Sequence, residues 1–427
     1  MDFEIVHPRI RLAARCLFFL GTAAYLALTT SQFLAAQFSA IPRASYLRKA
    51  TKLDPSNAEY RDSMGRFLLL VQQSPANALP WLWTATSLNP NRSEYWLHRA
   101  VAEHLIGDSE SERNSLARVS AANPHSSDVA WQLGNLYLSQ GALEPAFCEY
   151  RKVLQNDSEL SSQAIQICWR VRPDIDFLLE NVIPAGADEP FLSFLVSSNE
   201  PVAAAKVWER MVALQQPVER RFLFDYLNYL FTQHDPVQAS RVWQQAANLS
   251  GLAAYQPTQK NLLVNGDFRL NVLNNGFDWI YQKTSAVSLA IDPDESRSGS
   301  RSLRIEFQGP GLEDSGIRQL VSVDPDTEYA FSGYYKTAEM EGAGGPKFAI
   351  QDVYSGAKLF MSDDLRGAAS WTNVNGRLTT GPETHLIVLR VARVPADRPI
   401  RGKLWIDGLK LVRSNHVASF VSAKEQP

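Results

Sequence analysis

The sequence predicts a multidomain α + β protein: an N-terminal transmembrane helix, an α-solenoid of helical hairpins and a C-terminal β-sandwich. Three observations carry this. No charged residue stands between Arg15 and Arg43. Turn signatures then recur at a period near 34. Past Gln256, helical spacing gives way to short alternating runs separated by Gly, Pro, Asn and Asp.

The apolar stretch runs from Cys16 to Phe38 and follows a short tail, residues 1–15. About 20 apolar residues suffice to cross roughly 30 Å of hydrocarbon as a helix. A cleaved signal peptide would have a shorter core and a small-x-small site, which Leu34-Ala35-Ala36 matches poorly. A buried soluble helix would show a polar face, and this stretch has almost none. The expectation is an uncleaved anchor over 16–38. Arg9, Arg11 and Arg15 precede it and Arg43, Arg48, Lys49 and Lys52 follow, so charge alone leaves orientation open.

LDPSN at Leu53–Asn57, LNPNR at Leu88–Arg92, ANPHS at Ala122–Ser126 and the weaker QNDSE at Gln155–Glu159 mark the repeat. Their spacings are 35, 34 and 33 residues, with apolar residues three and four apart between them. Pro173, Pro184, Gly186 and Pro190 break the register over 172–190. PVAAAKVWERM (Pro201–Met211) and PVQASRVWQQA (Pro236–Ala246) are near copies, each with proline just inside a helix start. The array is expected over 43–250. Its tryptophans (Trp81, Trp83, Trp96, Trp131, Trp169, Trp208, Trp243) read mainly as packing residues, with some lining a groove. Asparagines that open helices read as N-caps, including the N-x-S matches at Asn91, Asn156 and Asn248.

The third unit, Ala130–Leu154, resembles the tetratricopeptide repeat. Gly134 and Ala146 stand where helices approach closely, Tyr137 and Tyr150 where the gap is filled, and Gly141 at the turn. The resemblance implies a TPR-like α-solenoid whose concave groove binds a protein partner.

A linker is expected over 251–260, the β domain over 261–413 and a disordered tail over 414–427. SLRIEF (Ser302–Phe307), EYAFSGYYK (Glu328–Lys336), HLIVLRVARV (His385–Val394) and KLWIDGLKLV (Lys403–Val412) alternate as strands do. Their order, from NLLVNGDFRL through GFDWIYQ to the last strand, resembles carbohydrate-binding modules of the galactose-binding jelly-roll type. The resemblance implies a two-sheet jelly roll that meets glycan on a concave face or at loop ends. Such modules place an acidic residue after the N-G-x-F turn and acids in the last strand to bind calcium. Here Arg269 stands at the first place, and Asp407 is followed by Gly408. The expectation is a lost metal site, replaced by an Arg269–Asp407 ion pair.

Sugar binding needs flat aromatic faces and planar polar groups. Trp279, Tyr281, Tyr334, Phe360, Trp371 and Trp405 are considered, with Trp279 and Trp371 read as core and Trp405 as at least half buried. Tyr335, Gln351, Asp352, Tyr354 and Arg390 are the expected ligand face.

Lysine plus arginine is 42 and aspartate plus glutamate 45, a net charge of −3 that argues against a nucleic-acid binder. Cys16, Cys148 and Cys168 lack zinc spacing. Asp363–Asp364 and Glu313–Asp314 read as loop acids, His98 and His104 as unsuited to joint ligation, and no phosphate or nucleophile motif occurs. The sequence therefore reads as a non-catalytic, cofactor-free scaffold, N-terminus cytoplasmic and bulk periplasmic or extracellular. It would bind protein through the solenoid and glycan through the jelly roll, in bacterial envelope polysaccharide assembly or export. The alternative is a protein-interaction scaffold whose degenerate jelly roll has no sugar affinity.

Overall fold

The computed structural model describes residues 8–297 and 301–414, so most of the 414–427 tail and residues 1–7 lie outside the described residues. Among those described there are fourteen α-helices followed by a two-sheet β-sandwich. The chain divides into two compact units between Ala187 and Asp188.

The first unit begins with α1 (Pro8–Ser39), of which Leu12–Ser39 is long and apolar enough to cross a membrane. Then come α2 (Ala44–Leu53), α3 (Ala58–Arg66) with a π turn over Phe67–Val71, α4 (Pro75–Leu88), α5 (Ser93–Ile106), α6 (Ser109–Ala122), α7 (Ser127–Ser139), α8 (Leu143–Asn156), α9 (Ser158–Val171) and α10 (Ile175–Asn181). Neighbouring helices pack against one another, and each apolar core is shared by three or more of them. Leu47 of α2 joins Met64 of α3 and Leu82 of α4. Leu97 of α5 joins Leu116 of α6 and Leu133 of α7. A lone hairpin cannot bury its apolar face, so the next one completes it. A Cβ on Gly134 would stand 3.0 Å from the Tyr150 ring, and Gly141 turns at φ +75°.

Caps are supplied chiefly by residues other than the asparagines expected. Asn57 does accept from the Glu59 amide, but Asp108, Ser126, Asp157 and Asp174 cap α6, α7, α9 and α10. Asn91 lies in a turn, Asn156 ends α8 and Asn248 is inside the last turn of its helix. Asp and Ser accept from the same N2 and N3 amides as Asn does, so the cap position is chemically degenerate.

The second unit opens with α11 (Asp188–Ser197), α12 (Pro201–Ala213), α13 (Arg220–Thr232) and α14 (Pro236–Leu249). The strands are β1 (Trp279–Tyr281), β2 (Val287–Asp292), β3 (Ser302–Gly309), β4 (Asp314–Ser322), β5 (Glu328–Gly342), β6 (Pro346–Asp352), β7 (Lys358–Met361), β8 (Thr372–Thr379), β9 (Leu386–Arg393) and β10 (Ile400–Arg413). They form two antiparallel five-stranded sheets, ordered β1-β4-β9-β6-β7 and β2-β3-β10-β5-β8. Between them lies one core, to which Trp279, Ile317, Phe348, Ile387 and Leu389 of the first sheet and Ile305, Phe331, Leu404 and Ile406 of the second contribute. Alternation along each strand therefore fixes which residues face outward.

Candidate ligand-binding face of the sandwich

The outer side of the first sheet carries Ile280, Arg318, Leu320, Val388, Arg390, Ala349, Gln351, Lys358 and Met361. These are the positions alternate to, and cross-strand from, the core residues. In register, Arg318 of β4 stands opposite Arg390 of β9, and Ala349 of β6 lies on the other side of Arg390. The Arg390 guanidinium donates to Asp314 Oδ2 at 3.1 Å and to Gln351 Oε1 at 3.0 Å. It remains partly exposed. This is a planar donor held by two acceptors, a charge-assisted arrangement that fixes its orientation. Asp314, expected in a loop, instead opens β4, because Arg390 and Asp314 meet only once the strands pair.

The five expected ligand residues separate. Gln351 and Arg390 come together on the open face. Asp352 turns to the chain itself: its Oδ1 accepts from the Tyr354 amide at 2.9 Å and the Ser355 amide at 2.6 Å. Burial opposes its ionisation, but these donors outweigh burial and hold its carboxyl below the usual range. Tyr335 packs in the core between the sheets, where burial pushes its hydroxyl up. Tyr354 stacks on His234 with centroids 4.3 Å apart and donates its hydroxyl to the Phe231 carbonyl at 3.2 Å. Its ring closes a junction with α13 and does not lie open on the sheet. Among the described residues, the outward positions of the first sheet carry no aromatic ring.

The other aromatics have structural partners. Trp279 stacks on Phe268 and donates to the Asn265 carbonyl at 3.0 Å. Trp405 is buried on the outer side of the second sheet and donates to Asp292 at 2.9 Å. Arg297 lies over Tyr334 at 4.7 Å, Phe360 packs against Phe331, and Tyr281 packs at the core's margin. Trp371 is half-buried ahead of β8.

One end of the first sheet meets the last helical hairpin. Phe277 sits between Phe231 at 5.3 Å and Trp243 at 5.8 Å. Residues 251–260 are tied down there: Trp243 donates to the Tyr255 carbonyl, Tyr255 to the Asn271 carbonyl and Gln256 to the Trp243 carbonyl. A groove of about 630 Å³ runs between α14 and β4, edged by Ser240, Gln244, Gln259, Ser322 and the Asp324–Arg413 ion pair. This volume is within the range of ligand pockets.

The ion pair expected between Arg269 and Asp407 gives way to other partners. Arg269 pairs with Asp267 at 3.0 Å, while Asp407, fully buried, accepts from the amides of Arg297 and Gly408, each at 2.6 Å. Amide donors from its own strand and from the segment before β3 thus reach this carboxylate, and Arg269 turns to Asp267. Among the described residues no group of three or more His, Cys, Asp or Glu is placed to hold a metal ion.

In the first unit, polar groups thread the helix pairs. His98 Nδ1 lies 2.8 Å from Asp62, and Arg99 pairs with Glu103 at 2.7 Å. Gln140 donates to Glu112 at 2.6 Å, and His104 lies 3.2 Å from the same carboxylate. Trp83 is exposed beside Arg99, whereas Trp208 and Trp243 in the second unit are buried.

No family model matches the chain, and no curated protein matches it in sequence. Solved structures similar to it include one of CBM4, 14% identical over 36% of this chain and 99% of that one, with a TM-score of 0.28. The CBM22-1 xylan-binding domain of Paenibacillus barcinonensis Xyn10C is 16% identical over 35% of this chain and 91% of that one, TM-score 0.25. MamA is 20% identical over 34% of this chain and 81% of that one, TM-score 0.27.

Proposed function

We propose that the protein is a non-catalytic, membrane-tethered adaptor. In this reading α1 is the anchor, the stacked hairpins form a solenoid whose groove takes a protein partner, and the jelly-roll sandwich meets glycan on the outer face of its first sheet. One observation carries the glycan assignment: the Arg390 guanidinium, oriented by Asp314 and Gln351 on an open face. Fixed planar donors and acceptors suit the vicinal hydroxyls of a sugar chain, and a preoriented guanidinium loses little freedom on binding. Glycan contact sets the bulk of the chain outside the cytoplasm with the N-terminus inside, which suits a role in envelope polysaccharide assembly or export. A reporter fused after residue 427 tests that orientation.

A second reading has its own support. Tyr335 and Tyr354 engage the protein itself, so among the described residues the outer face of the first sheet lacks the stacking surface on which sugar modules commonly rely. It would then dock a protein and have no sugar affinity. Glycan-array binding by the full-length protein in nanodiscs separates the two. Signal that falls at least tenfold in Arg390→Ala and Gln351→Ala supports the glycan face. A flat array with a protein captured on the intact sandwich supports the second reading.

A further inference from the structure

We infer that the membrane boundary lies at the level of Ser31 and Leu53, so that the last nine residues of α1 stand outside the bilayer as the partner of α2. This rests on α1 being the anchor and goes on to fix its depth. Ser31 Oγ donates to the Leu53 carbonyl at 2.9 Å, and the Phe38 ring lies 5.8 Å from Tyr46. Seven residues forward along α1 correspond to seven back along α2, so the two helices run antiparallel in one register. Ala35 is completely buried in this pairing, whereas every residue from Leu12 to Leu28 is exposed. The helix is continuous, yet from about Thr29 onward one of its faces, that of Ser31, Ala35 and Phe38, is covered by α2.

Charge sets the limit on each side. Lys52 and Asp54 flank Leu53, and Lys49 lies over the Phe38 and Tyr46 rings at 5.5 and 5.3 Å. A charge taken to mid-hydrocarbon costs about 2.5–3.5 kcal/mol on insertion scales, so the hydrocarbon must end on the Thr30 side of this group. At the other end stands Arg15. Between them run the 15 uncharged residues Cys16–Thr30, which rise about 22 Å as a helix against roughly 30 Å of hydrocarbon. A short span is accommodated by local thinning and by basic side chains reaching to the headgroups; Arg15 and Lys52 are placed at its two ends to do so. The span cannot slide without drawing Lys52 and Asp54 inward. The first hairpin is thereby held at the bilayer surface with no flexible linker.

The test uses the full-length protein with Cys16, Cys148 and Cys168 replaced by serine, in phosphatidylcholine–phosphatidylglycerol vesicles. Single cysteines are placed at the exposed positions Leu20, Leu26 and Gln37, with Ser355→Cys as the aqueous reference. A membrane-impermeant maleimide is supplied on both sides. Leu26→Cys and Leu20→Cys are expected to react at least tenfold more slowly than the reference, and Gln37→Cys within threefold of it. Protection of Gln37→Cys together with the other two overturns the assigned depth while leaving the anchor intact. Rapid labelling of all three positions overturns the anchor itself.

Discussion

Asp278 lies fully buried between the last helical hairpin and β1, accepting from the Leu273 amide at 2.7 Å. Burial pushes its carboxyl up to about 6, despite hydrogen bonds from the Leu273 and Trp279 amides and the Asn265 side chain. Asp188 is also pushed up to about 6 by burial, against the pull of Arg210 3.5 Å away. A carboxyl whose folded pKa exceeds its unfolded value binds more protons in the native state. Its contribution is therefore fully present below about pH 4 and is lost as pH rises through 6. A shift from 3.8 to about 6 corresponds to a contribution on the order of 3 kcal/mol. Asp278→Asn removes the charge and keeps an acceptor for the Leu273 amide. The variant should therefore gain stability over wild type as pH climbs from 4.5 to 7, read as the difference between their urea midpoints. A difference that stays constant across that range would show that Asp278 is ionised at no cost in the fold. Comparing the pair cancels the opposite slope from carboxyls such as Asp292 and Asp352, which are held low.

At the scale of elements, α12 and α14 form a natural comparison, since both start with Pro-Val and repeat Val-Trp six residues later. The Asp235 side chain caps α14 by accepting from the Gln238 amide at 3.0 Å, while Glu200 makes no such bond at α12. Asp235→Ala should cost about 1 kcal/mol, and Glu200→Asp should add roughly 0.5–1 kcal/mol, each confined to its own helix. Hydrogen exchange of the first-turn amides reads both, and equal losses from Asp235→Ala and Glu200→Ala would refute the asymmetry. These elements also show what was legible beforehand. Proline positions and apolar period located α12 and α14, and alternation located β3 and β10. Alternation says that a strand has two faces but not which one is inward. Tyr335 and Gln351 were equivalent on that basis until strand pairing sent one to the core and the other to the open sheet. The partners that define the site are remote: Asp314 is 76 residues from Arg390, and Phe231 is 123 from Tyr354. No local pattern encodes such pairs.

For the molecule as a whole, the change from helical to strand period near Gln256 is conspicuous in the sequence, yet the compact units divide at Ala187/Asp188. The reason is the apolar and hydrogen-bonded contact between the last hairpin and the sandwich. Phe277 fills the space between Phe231 and Trp243, and Gly276 at φ +62° approaches Trp243 so closely that a Cβ would stand 2.4 Å from its ring. Tyr354 and Tyr255 add hydrogen bonds across the same surface. A fragment of residues 188–414 keeps all of this, whereas 257–414 loses the aromatic partners of Phe277 and leaves that surface to water. The longer fragment should unfold cooperatively, and the shorter one should melt lower and bind a dye for exposed apolar surface. Trp243→Ala in the longer fragment should move it toward the shorter one, at a cost of about 3–5 kcal/mol for a large buried aromatic. Equal melting midpoints for the two fragments would mean that the hairpin merely abuts the sandwich. The distinction bears on function: a hairpin built into the sandwich passes a load on the strands directly to the helices, and one that only touches it does not.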